Sequence, residues 1–138
     1  MRFMMFIYPA ISEQDWEPSA EAVGAMSRYN EELTKAGALL ALDGLRPPSD
    51  GARVSRPVPG GPATVTDGPF SEAKEVVGGY WIIQAKSREE AIEWASRCPI
   101  GGETFIEVRP IFEMSDFSPE LQEAAGRSQT PPEQTTAV

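Results

Sequence analysis

The run Arg2-Phe3-Met4-Met5-Phe6-Ile7-Tyr8 limits the fold more than any other segment. As a strand it sends Phe3, Met5 and Ile7 to one side and Met4, Phe6 and Tyr8 to the other, because successive side chains alternate. Both sides are apolar, so both need cover. Helices of the same chain can supply one cover. Something further must supply the other.

The rest of the chain orders itself around that strand. Ala10–Pro18 is a polar loop carrying Asp15 and Trp16. Ser19 can cap a helix running to about Ala36, with Ala22, Met26, Tyr29, Leu33 and Ala36 as its apolar stripe. Gly37 is a natural stop, and Leu39–Leu42 reads as a short strand. Ala52–Val58 and Ala63–Thr66 flank Pro59-Gly60-Gly61-Pro62, which predicts a hairpin. Pro57 places that hairpin at an edge, since proline cannot donate to a ladder. Glu75–Gln84 reads as a longer strand centred on Tyr80-Trp81-Ile82-Ile83. Ser87-Arg88-Glu89-Glu90 is a capping box that opens a second helix, with Ala91, Ile92, Ala95 and Cys98 as its stripe. Thr104–Glu113 is the last main strand. Pro119–Ala125 predicts a short helix, and Gly126–Val138 has a disordered composition. The division is a domain over residues 1–115 and a tail over 116–138.

Two strand–helix–strand halves with a hairpin between them predict a ferredoxin-like α+β fold, an antiparallel sheet with two helices on one face. An uncovered opposite face of ~500 Å² would forgo about 12 kcal/mol of gross burial at ~25 cal/mol per Å². The expected solution is a sheet-to-sheet homodimer.

Composition narrows the chemistry. The chain of 138 residues carries 12 basic and 21 acidic residues, a net charge of −9, and no basic run, so nucleic acid is not an expected partner. No apolar stretch approaches the length of a membrane span, and Met1–Tyr8 is too short for a secretory leader. A cytoplasmic location and no membrane partner are expected. Histidine is absent, which removes Ser-His-Asp and Cys-His nucleophile systems and histidine-built zinc sites. Gly101-Gly102 lacks the Gly-Lys-Ser/Thr ending of a phosphate loop, no dinucleotide fingerprint occurs, and no carboxylate spacing suits a metal. No cofactor and no metal are expected.

The segment Thr66-Asp67-Gly68-Pro69-Phe70-Ser71-Glu72-Ala73-Lys74-Glu75 resembles the DGPF, or YCII-related, family. Gly78-Gly79-Tyr80, Ile106-Glu107-Val108-Arg109-Pro110 and the opening Arg2–Tyr8 pattern match it too, so the resemblance covers roughly residues 1–115. It implies a ferredoxin-like fold assembled as a dimeric α+β barrel. It implies small-molecule chemistry for some relatives, through a His and an Asp acting as an acid–base pair. For others it implies a link to extracytoplasmic-function sigma factors. Of the pair, only Asp67 has a counterpart in this chain.

These observations give a list of candidate residues. Asp67 is the candidate acid or base, or else the residue that holds the Asp-Gly-Pro turn. The catalytic role needs a carboxyl whose affinity for protons is raised by burial. Glu107 and Arg109 share one strand face, either as a structural ion pair or as a clamp for an anionic ligand. Tyr8 and Tyr80 could each place a phenol in a pocket or fill space with a polar tip. Arg46 could border a pocket from its loop. Trp16 reads as a packing residue, and Trp94 as packing or surface cover. Cys98, at a helix C-terminus, reads as a buried thiol. The function expected is small-molecule binding, with acid–base activity resting on Asp67. The alternative is a regulatory module that meets a protein partner such as a sigma factor.

Overall fold

A computed structural model describes residues 1–70 and 75–126. Its main strands are β1 (Arg2–Tyr8), β2 (Leu39–Gly44), β5 (Gly79–Gln84) and β6 (Phe105–Pro110). They form one four-stranded antiparallel sheet in the order β2-β5-β1-β6. Helix α1 (Ala20–Lys35) joins β1 to β2, helix α2 (Arg88–Ser96) joins β5 to β6, and α3 (Pro119–Gly126) follows. Strands β3 (Ala52–Ser55) and β4 (Thr64–Asp67) form a separate two-stranded hairpin. This is the ferredoxin-like α+β arrangement read from the sequence. A single chain supplies an open sheet and not a closed barrel.

The alternation in β1 divides the molecule. Phe3 pairs with Ile83 and Met5 with Trp81. All four are buried, together with Tyr29 and Leu33 from α1, Ala91 and Trp94 from α2, and Cys98 just beyond its C-terminus. Tyr29 ties the two helices to the sheet. Its ring stands edge-on to Trp81 at 6.0 Å, and its hydroxyl donates to the Trp94 carbonyl at 2.7 Å. The other side of β1, with Met4, Phe6 and Tyr8, is only half-buried.

Local signals set the ends of α1. The Ser19 hydroxyl accepts from the Ala22 N–H at 3.1 Å, satisfying one of the orphan donors of the first turn. At the other end Gly37 has φ +69°, Gly37 N–H donates to Thr34 O, and Ala38 N–H donates to Leu33 O. Those paired bonds are the Schellman termination, and its left-handed residue favours glycine.

Several expectations need correction. Ile92, expected on the buried stripe of α2, is 38% exposed, and Trp94, only 8% exposed, takes the packing role of its two readings. Ala22 and Ala36 are exposed. The Ser87 hydroxyl accepts from Glu90 N–H, but the Glu90 carboxylate accepts from Lys86 N–H, one residue before the position a capping box requires. β5 begins at Gly79, not near Glu75, and β6 ends at Pro110, after which Met114–Asp116 forms a turn of 3-10 helix. The hairpin strands stop at Ser55 and resume at Thr64, so Pro57 lies beyond the ladder. The disorder expected of 126–138 falls, apart from Gly126, outside the described residues. Gly126 closes α3.

Candidate functional site

The expected site residues separate into two groups. Tyr8, Tyr80, Glu107 and Arg109 lie together on the sheet face away from the helices. In the ladder, Phe6 sits between Tyr80 and Glu107, and Met4 lies beside Arg109. Tyr8 stacks on its register partner Phe105 with ring centroids 4.7 Å apart. Burial raises the pKa of the Tyr8 hydroxyl, nearby Glu107 and Glu75 raise it further, and Arg109 pulls it back. The Tyr80 hydroxyl donates to Asp43 Oδ2 at 2.7 Å, and that bond holds its proton above the ordinary tyrosine range. Arg109 and Glu107 pair at 3.9 Å along one strand, a loose contact between exposed groups.

Arg46 belongs to the second group, at one end of the sheet. It lines a cavity of about 640 Å³ with Ile7, Pro9, Trp16, Leu45, Pro47 and Gly78 among its walls. Two bonds strap these loops together. The Trp16 indole donates to the Leu45 carbonyl at 2.9 Å, and Ser49 N–H donates to Glu13 Oε1 at 2.8 Å. Arg46 itself pairs with Asp50 at 3.1 Å and keeps an exposed side chain. Trp16, Glu13 and Asp50 were not among the expected binding residues. The one signal was the density of Pro and Gly over Asp43–Gly51, which permits close backbone approach there but does not say that the Ala10–Pro18 loop, which has no glycine, is the one it meets.

Asp67 joins neither group. It ends β4, opposite Ala52, and is exposed. No hydrogen bond reaches its carboxylate among the described residues, so neither the buried acid nor the turn-holding acceptor is seen there. The glycine beside it carries the steric demand of this motif. A Cβ on Gly68 would sit 1.8 Å from the Pro48 carbonyl oxygen. Gly68 N–H donates to Gly51 O at 3.0 Å, and the Arg53 guanidinium lies 4.0 Å from the centre of the Phe70 ring. The Asp-Gly-Pro-Phe segment thus clamps the base of the hairpin against the Pro48–Gly51 backbone.

A family model for the YCII-related domain, also labelled DGPF, matches residues 1–115. The chain belongs to the YCII-related domain family. No curated protein matches it. In this YCII-related domain, the signature segment joins the hairpin to the loop that walls the cavity. Among the described residues no cluster of three or more His, Cys, Asp or Glu could hold a metal, and no helix is long and apolar enough to cross a membrane. Cys98 is buried, and burial pushes its thiol up to about 12.

Proposed function

We propose that this YCII-related domain binds a small organic molecule in the cleft walled by Trp16, Leu45, Arg46, Pro47 and Gly78. The observation that carries the reading is the cavity of about 640 Å³, whose walls combine Ile7, Pro9 and Trp16 with the Arg46 cation and the carboxylates of Glu13, Glu17 and Asp50. Small-molecule sites have this character: mostly apolar walls, few polar groups, and volumes of about 300–1,000 Å³. Arg46 supplies planar donors and the carboxylates around it supply acceptors, which suits a ligand carrying both kinds of polar group. The exposure of Asp67 favours binding over acid–base turnover at that residue.

A sheet-to-sheet homodimer belongs to the same reading. Met4, Phe6, Tyr80 and Ile82 share the half-buried face, and a second copy would cover it.

A thermal-shift screen of small organic molecules, with amines, zwitterions and carboxylates all represented, tests the cleft. Ligand held by the folded state raises the melting temperature, by about 2.7 kcal/mol of added stability at roughly 100 times Kd. Hits should vanish in Arg46→Ala and Trp16→Ala and persist in Asp67→Ala. Hits lost only in Asp67→Ala would move the site to the hairpin base and end this reading.

A further inference from the structure

The hairpin is the least supported part of the molecule. All eight residues of β3 and β4 are exposed. An isolated two-stranded hairpin is marginal in water, because it has no third strand or helix to receive its apolar face. This one has such a face. Val54 and Val65 are direct register partners, so they lie side by side, and they are 69% and 62% exposed. Arg53 points the other way, onto Phe70, which fixes the base and leaves the valine face bare.

The charge of this segment is opposite to that of the rest of the chain. From Leu45 to Asp67, which ends β4, stand three arginines, Arg46, Arg53 and Arg56, against two acids, Asp50 and Asp67. From chain totals of 12 basic and 21 acidic residues, that leaves nine basic and nineteen acidic residues elsewhere. A basic arm with an apolar face therefore fits the surface of another copy better than it fits most partners. The open sheet face offers a matching patch. Phe105, 39% exposed, is stacked on Tyr8, and the Glu107 and Glu75 carboxylates are close enough to act on the Tyr8 hydroxyl.

We propose that the hairpin is an arm that reaches across to a second copy, laying Val54 and Val65 on the partner's Tyr8–Phe105 stack and Arg56 against its Glu107. The arm adds to the sheet-to-sheet pairing proposed above and is separable from it. Because its base is clamped to the Pro48–Gly51 loop, the arm couples that partner contact to the wall of the cleft.

Sedimentation velocity of the full chain at micromolar concentration tests the arm, with folding of each variant checked by circular dichroism. Val54→Asp with Val65→Asp should weaken self-association at least about tenfold, the cost of losing roughly one buried valine side chain. Arg56→Glu alone and Glu107→Arg alone should each weaken it, and the two together in one chain should restore it. Ile82→Asp, on the open sheet, should dissociate the pair through the sheet contact itself. Wild-type association in the valine variant, or a charge-swapped chain that associates no better than its single variants, overturns the arm. If Ile82→Asp still dissociates the copies in that case, the sheet pairing stands and only the arm falls. A wild-type chain that stays monomeric overturns both.

Discussion

The central sheet and the hairpin are both antiparallel, yet they derive their order from different sources. In the sheet, Phe3, Met5 and Ile83 are wholly buried, and each strand is held on one face by α1 and α2. In the hairpin no residue of either strand is buried, and the fixed point is the base, where Gly68 meets the Pro48 carbonyl. Packing of side chains orders the first. Backbone contact at one end orders the second. Antiparallel pairing can thus rest on buried area or stand as a projecting lever.

Substitutions break this comparison in descending order. Phe3→Ala removes a fully buried ring and should cost about 3–5 kcal/mol, read as a fall in the denaturant midpoint with little change in slope. An effect below about 1 kcal/mol would mean that the helix-covered face is not where stability resides. Gly68→Ala places a methyl group on the Pro48 carbonyl, and relieving it should cost about 1–3 kcal/mol. Its signature should be faster amide exchange in β3 and β4 with β1 and β5 unchanged; uniform loss of protection would show that the hairpin base and the sheet are one unit.

The third effect depends on pH. Burial holds the Cys98 thiol protonated to about 12, against 9.0 in the ordinary case. The unfolded thiol ionises first as pH rises, so stability is fully present below pH 9.0 and declines through the window up to about 12. The slope reaches up to about 1.4 kcal/mol per pH unit, and Cys98→Ala should flatten it when urea midpoints are compared across that range. Tyr29, whose hydroxyl is also raised by burial, adds to the same decline. The smallest effect belongs to the hairpin. Val54→Ser, measured where the chain is dilute enough to be a monomer, should change stability by less than about 0.5 kcal/mol. A larger loss would place Val54 against its own chain and contradict its exposure.

Much of the fold was legible because its signals are local. Apolar alternation marked β1, Ser19 and Gly37 marked the ends of α1, and Pro59-Gly60-Gly61-Pro62 marked the hairpin tip. What failed depended on rotation or distance. On α2 the stripe was read through Ile92, but the helix turns so that Trp94 faces the sheet and receives the Tyr29 hydroxyl. β5 starts late because Gly78 and Gly79 lie against Pro9 and the Asp43 carbonyl, where an added Cβ would approach within 2.7 and 2.9 Å. For the candidate site, alternation placed Glu107 and Arg109 on one face, while the register that brings Tyr8 and Tyr80 beside them came only from the structure. Alternation could not reveal the Trp16–Leu45 bond that closes the cleft, since those residues meet only after the sheet has formed. Nor could it show that Gly68, and not Asp67, bears the steric constraint of the signature.

The hairpin tip offers a practical handle. Gly60 has φ +77° and no neighbour within 4 Å of where a side chain would begin, and the tip lies outside the core. Exposed loop tips of this kind tolerate insertion. A short epitope or fluorescent tag placed between Gly60 and Gly61 would leave the four-stranded sheet intact while moving with the arm. Attached there, the tag would turn the projecting hairpin into a gauge of its own surroundings, reporting contact with whatever it touches through changes in emission or antibody access.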